Sequence, residues 1–320
     1  MRKTFFLLVF LGLSLLVSSC SYFRSTPPSS PAPEFVCVAG TQQRPAPMFN
    51  GLQIKGNMSV RLSTGCAKPH VILKGDPRDF DNVKTYVSNG TYQILPGKGY
   101  PKCHMHVDVC TKYLNYFRFQ GNGEINATIN SSALDVFLQN SGTTRMSGSL
   151  GIRRLEIKGD GFVQINGIKS QNLQLKITGK PRVQLVGMAN ISSIDLNSDA
   201  ILSLYWVKSQ QLIIREKGRS VIQLAGVVDK LDVELWDAAR FRGRYLRANT
   251  AFVKTHDNSV AEMSAVKRQH TLALDTSDIQ FFNIPSLKTD FMANNGAVLD
   301  MRDWNNPFMQ EYDQYNIGPP

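Results

Sequence analysis

Residues 103–110 read CHMHVDVC, the densest set of potential ligands in the chain. In an extended strand, alternate side chains share a face. His104, His106 and Asp108 would then point the same way, and Cys110 would join them. Histidine, cysteine and aspartate are zinc ligands. An ordinary half-buried strand beside a disulfide gives the same alternation, so no metal is expected. Three further cysteines, Cys37, Cys66 and Cys103, complete an even set with Cys110. In an exported chain such a set suggests disulfides, and four cysteines allow three pairings. Cys103 and Cys110 are seven residues apart and would face opposite sides of a straight strand. They pair with each other only if the segment folds back.

Acid–base chemistry is sparser. Asp237 and Asp257 fall at equivalent places in a repeat described below, but Gly and Asn occupy the same place elsewhere, which points to turns. His256 stands beside Asp257 with no partner evident in the sequence. No nucleophile motif, phosphate loop or cofactor fingerprint is present. The expectation is a protein that is not an enzyme, with no catalytic residues and no cofactor. A polysaccharide-active enzyme would need a carboxylate cluster that the sequence does not display.

The repeat emerges from VQINGI at 163–168 and VQLVGM at 183–188. With Val163 and Val183 as anchors, the series extends through Ile125, Thr144, Leu202, Ile222, Phe241, Ala261, Ile279 and Leu299. Two residues after most anchors stands a second apolar residue, such as Ile165, Leu185, Leu204 and Leu224. Eight before come Phe117, Val136, Leu155, Leu175, Ile194, Ile214, Val233, Val253 and Phe291; near 271 the expected register slips by one, so Leu272 serves there. Four before come Gly121, Asn140, Gly159, Gly179, Ser198, Gly218, Asp237, Asp257 and Asn295, residue types suited to tight turns. A fixed period near twenty is a solenoid signature, and one coil cannot bury its apolar face alone. The asparagine column and helical segment of leucine-rich repeats are missing. The reading is an all-β chain: a parallel, right-handed β-helix of about ten ~20-residue coils, preceded by a small β-domain. Two positions test it. Glu216 falls in a column of Ile157, Ile177 and Leu196, so either the strand bulges or a basic group meets it. Gly243 leaves a hole for Phe241.

The predicted organisation is a signal peptide at 1–19, a tether at 20–48, an amino-terminal β cap at 49–112, the β-helix at 113–303 and a carboxy-terminal cap or partner-binding tail at 304–320. The start carries Arg2 and Lys3, then an apolar run too short to span a membrane. Val17, Ser18, Ser19 and Cys20 resemble the bacterial lipobox, which implies lipidation at Cys20. Ser21 rather than aspartate then favours the outer membrane. The Pro/Ser-rich stretch after it cannot bury enough to fold alone. Lys plus Arg exceed Asp plus Glu by 36 − 25 = 11, but the basic residues are scattered and no nucleic-acid partner is expected.

Residues 49–95 show short alternating strands between turn residues. Phe49, Gly56, Val60, Leu62, Gly75, Asp76, Asn89 and Gly90 resemble the start of the GIN-type head domain of autotransporter-adhesin type, which continues into β-helical coils. That resemblance implies the fold and brings no catalytic residues. The plan of tether plus head also resembles accessory outer-membrane lipoproteins of Legionella-type Dot/Icm type IV secretion core complexes. The leading expectation is thus a lipid-anchored outer-membrane protein with a periplasmic head, a structural component of an assembly with outer-membrane or periplasmic proteins as partners. The alternative is a surface adhesin or glycan-binding head. Outward polar ladders are expected from Gln164, Gln184, Asn166, Ser203 and Arg242.

Overall fold

The computed structural model describes residues 36–98, 101–282 and 288–301. Cys20, the tether up to residue 35 and the tail 304–320 lie outside the described residues. Strands account for nearly all regular structure, with one short 3-10 helix at Pro77–Asn82.

The chain winds as a parallel β-solenoid with two hydrogen-bonded ladders. The first runs Ile125, Thr144, Val163, Val183, Leu202, Ile222, Phe241, Ala261, Ile279 and Val298. The second runs Phe117, Val136, Leu155, Leu175, Ile194, Ile214, Val233, Val253, Thr271 and Phe291. Most coils are one long strand that bends from the first ladder into the second, as in Phe162–Gly179, Arg182–Ser198 and Ile201–Gly218. Side chains alternate in and out, and equivalent inward residues stack coil on coil into one buried core.

Two expected positions shift by one. Thr271, not Leu272, occupies the second ladder; it is buried while Leu272 is partly exposed. The register does not slip there: a polar residue stands in an apolar column. At the end of the stack Val298 pairs with Ile279, and Leu299 faces solvent. The turn column is as expected, with one more member, Asp275. Ser198, Asp237, Asp257, Asp275 and Asn295 join Gly159, Gly179 and Gly218 at positive φ, the conformation these residue types tolerate best. The aspartates also act across coils: the Gly218 amide donates to Asp237 Oδ2 at 3.0 Å, the Asp237 amide to Asp257 Oδ2 at 2.9 Å, and the Asp257 amide to Asp275 Oδ2 at 3.1 Å. The alignment of Asp237 with Asp257 is therefore turn chemistry.

The amino-terminal strands belong to the same ladders but enter them out of chain order. Met58–Thr64 lies between Ile125–Thr128 and Met105–Thr111, and Gly51–Lys55 lies between Tyr116–Gly121 and Thr91–Pro96. The first coil in chain order, Gly51–Thr64, thus lies one coil in from the end; the chain then goes outward and returns past that coil to continue the stack. Antiparallel strands then close the outer edge. His70–Gly75 pairs with Met105–Thr111 and with Gly40–Arg44, and Val83–Ser88 pairs with Thr91–Pro96. An open parallel edge would be a template for other strands, and this arrangement covers it. Cys37 bonds to Cys103 and Cys66 to Cys110, both within this region.

Outside the second ladder, equivalent residues form a row of alternating sign: Glu156, Lys176, Asp195, Arg215, Glu234 and Lys254. Opposite charges on neighbouring strands favour this register over a shifted one.

Gly243 is filled as expected: an added Cβ would run into the Phe241 ring. Glu216 behaves differently from both expectations. It pairs in regular register with Leu196 and Leu235, so no bulge occurs, and no basic group meets it. It is wholly buried, and neither carboxyl oxygen has a hydrogen-bond partner among the described residues. The nearby Ser220 hydroxyl donates to the Lys217 carbonyl, and the Arg240 amide to the Ser220 carbonyl. Burial pushes the Glu216 carboxyl up to about 8, so it sits in the core as the neutral acid.

This has a measurable sign. Below the ordinary value of 4.5 both folded and unfolded chains hold the proton and no penalty arises. Between there and about 8 only the unfolded chain releases it, and stability falls by about 1.4 kcal/mol per pH unit. Above that range the loss levels off, on the order of 5 kcal/mol. Glu216→Leu should therefore unfold at higher denaturant than the natural chain at pH 8.5, with the gap narrowing toward pH 5. A gap independent of pH would show that Glu216 is not a buried neutral acid.

Candidate binding groove

The ligand candidates of residues 103–110 are divided among other partners. Asp108 forms an ion pair with Lys74 from the antiparallel neighbour strand. His104 Nε2 lies 2.9 Å from Ser59 Oγ, and its ring meets His106 edge-on at 4.6 Å. Burial, and then the neighbouring His106, hold His104 below the ordinary histidine value. Cys110 is bonded to Cys66 and so cannot join these residues as a thiolate ligand. Among the described residues no group of His, Cys, Asp and Glu is arranged to hold a metal ion.

His256, expected to stand alone, has partners. Its Nε2 lies 3.2 Å from Glu234 Oε1, and its ring stacks on Trp236. Glu234 also faces Arg215 at 3.6 Å and Lys254 at 3.5 Å, while Asp232 pairs with Arg215 at 3.1 Å. These carboxylates are compensated members of the charged row. They bound a recess of about 380 Å³ with Phe252, His270, Asp290 and Met292.

The larger concavity is at the corner where each long strand bends from the first ladder to the second. Here the coils are unequal. Between the pairs Leu150↔Ile168 and Arg154↔Gln174, one coil uses three residues, 151–153, where the next uses five, 169–173. The pattern recurs between Ala189↔Val207 and Ser193↔Ile213, with 190–192 against 208–212. The five-residue connectors read KSQNL and KSQQL. Their excess length interrupts the backbone ladder, and each serine replaces the lost acceptor. The buried Ser170 hydroxyl accepts from the Ile152 amide at 3.0 Å, and the buried Ser209 hydroxyl from the Ile191 amide at 2.8 Å.

The flanking residues point outward. Lys169 and Gln171, Lys208 and Gln210, and Arg247 and Asn249 border a groove of about 1260 Å³, with Asn190 and Met188 between them. Lys169 and Gln171 also border a second groove of about 830 Å³ that continues past Arg153, Ser132 and Asn130 to Asn115 and Tyr113. Glycines allow the close approach at this corner. Gly167, Gly187 and Gly226 take positive φ, and a Cβ at Gly187 would strike the Ile168 carbonyl. Trp206 holds the same place in its coil at φ 74°, a strained conformation for a bulky residue. Beside it, Tyr205, Val186 and Met188 form an exposed apolar rim.

The predicted polar ladder is partly formed. Gln164, Gln184, Ser203 and Arg242 line up in one outward row with Gln223 and Glu262. Asn166 lies in a different row and pairs with Val186. The groove residues escaped a search for apolar columns of period twenty. Their signal was the KSQ triplet at 169 and again at 208.

The described residues thus form a parallel β-solenoid with a polar groove along one corner. Residues 48–192 match the family described as "Putative auto-transporter adhesin, head GIN domain". That match bears out the resemblance carried by Phe49, Gly56, Val60 and their neighbours. The ladders continue beyond the matched stretch to residue 300. Among curated proteins none matches the chain. Solved structures with similarity include a "putative adhesin" from Parabacteroides merdae, 14% identical with a TM-score of 0.41, covering 82% of this chain and 95% of its own. A "Putative lipid binding protein" from Parabacteroides distasonis is 14% identical with a TM-score of 0.40, covering 82% and 96%. A "putative adhesin" from Bacteroides fragilis is 15% identical with a TM-score of 0.34, covering 82% and 97%.

Ser209→Ala should lower stability by roughly 1–2 kcal/mol in urea unfolding, because the buried Ile191 amide loses its acceptor. Ser203→Ala, on the outer face, should change it little. Equal effects would mean that Ser209 does not carry the corner.

Proposed function

We propose that this protein is a non-enzymatic binding head of the adhesin type, held at the outer membrane by a lipid on Cys20, which engages an extended ligand along the corner groove. The observation that carries the reading is the groove itself. Repeated connectors on a rigid frame present lysine, glutamine and asparagine side chains along several coils. The adhesin-head family supports this reading over that of a structural part of an envelope assembly, and nothing in the comparisons speaks for a type IV secretion complex. The charged recess around Glu234 does not favour catalysis, because its acids are already paired with Arg215, Lys254 and His256. A surface-facing head follows from the adhesin reading, in place of the periplasmic one expected first.

The test uses the mature lipidated chain in detergent, applied to arrayed glycans and extracellular-matrix proteins. Retention of a defined ligand is expected, and it should be lost in an Asn190→Trp/Gln210→Trp variant whose circular dichroism is unchanged. Protease added to intact cells should remove the head. Retention that survives filling of the groove, or release of shortened glycan, would overturn the reading.

A further inference from the structure

The groove has a second period that the individual coils do not. Lys169, Lys208 and Arg247 are each separated by 39 residues, from 208 − 169 and 247 − 208. The following Gln171, Gln210 and Asn249 keep the same step. Three- and five-residue connectors alternate between residues 151 and 212, and from Lys208 to Arg247 the coils keep equal-length corners in unbroken register. Lys169 pairs in register with Met188, and Lys208 with Val227, which in turn pairs with Arg247. Cations and apolar residues therefore alternate coil by coil. Successive cations are two strand spacings apart, about 10 Å.

None of the three cations has a carboxylate partner among the described residues, although ion pairs are common elsewhere on this surface. The one acid bordering this groove, Asp229, accepts a hydrogen bond from Asn249 Nδ2 at 2.8 Å. The groove thus holds a line of unpaired positive charges separated by side-chain amides.

We propose that the groove binds a linear polysaccharide bearing one acidic group per disaccharide. This rests on the binding-head reading and names its ligand class. An extended disaccharide repeat has about the length of two coils, so one carboxylate per repeat can meet each of Lys169, Lys208 and Arg247 in turn. Between them, Gln171, Gln210 and Asn190 offer donors and acceptors matched to hydroxyl and acetamido groups. Met188 and Val227 give the apolar contact that sugar ring faces require. A nucleic acid fits less well, since its phosphates are far denser than the cations here. A peptide strand would need a free sheet edge, and the groove lies across coils whose backbones are paired on both sides.

The probes are hyaluronan, which has one carboxylate per disaccharide, and the same polymer with its carboxyls reduced to alcohols. Binding to the full mature chain in detergent is measured by calorimetry at low and high salt. Hyaluronan should bind, weaken as salt rises, and bind about tenfold more weakly to Lys169→Gln/Lys208→Gln/Arg247→Gln. The control Lys55→Gln/Lys84→Gln/Lys98→Gln removes equal charge away from the groove and should retain binding. A hexasaccharide should compete where a disaccharide does not. Equal binding of the reduced polymer, or indifference to the groove substitutions, would overturn the acidic-ligand proposal and leave the binding-head reading standing. If neither polymer binds, the proposal fails; if no arrayed ligand is retained either, both fail together.

Discussion

Every feature of this molecule depends on the in-register stacking of one coil on the next. Each coil has too little chain to bury its own apolar side chains, so the neighbouring coils supply the other half of its core. The backbone ladders fix the spacing, and the inward columns must then agree in size and polarity from coil to coil. The alternating row from Glu156 to Lys254 reinforces the same register from outside. Glu216 shows how strong the constraint is. The ladder holds its backbone in the core position, so the carboxyl gives up its charge rather than its place. On either side of it in the column stand the buried Leu196 and Leu235.

Where the ladder is relaxed, the protein gains a surface that a uniform stack would lack. At the strand bend the coils differ by two residues, and the regular amide pairing cannot continue. Ser170 and Ser209 restore the missing acceptors from within the core. Their neighbours on either side are released to solvent as lysine and glutamine. Local irregularity thus sits on a rigid frame, the arrangement by which loops carry function elsewhere. The strained Trp206, in a place where neighbouring coils use glycine, belongs to the same edge.

The sequence displayed the parts of this design that rest on buried side chains. The columns through Val163 and Leu175 were readable because burial selects apolar residues at each turn of the solenoid. Reading failed where burial and polarity part company. Thr271 is buried but polar, so Leu272 beside it looked like the better column member; Leu299 likewise seemed a better anchor than Val298. The order of the first coils was hidden for another reason. Val60 lies between Val107 and Ile125, and such long-range pairing leaves no local pattern. The disulfide pairing follows from that order and was equally closed to inspection. The groove was legible in principle, as the KSQ triplet at two places, but only to a search for polar residues at twice the coil period.

The out-of-order start also explains why the cap can serve a long, thin stack. A solenoid holds each coil mainly through its neighbours, so its ends are where it would open first. Here the end coil is not the end of the chain. The strands Gly51–Lys55 and Met58–Thr64 are clamped between coils that come later in the sequence, and the segment joining them crosses the outer edge as antiparallel strands. The Cys66–Cys110 bond joins the turn after Met58–Thr64 to the next coil outward, and Cys37–Cys103 ties the first described residues to the same end. Fraying of the outer coil would have to carry these tethers with it. A frame closed in this way keeps Lys169, Lys208 and Arg247 at a fixed separation. Repeated weak contacts along a polymer add up when the groups that make them are already in place, since no ordering cost is then set against each contact.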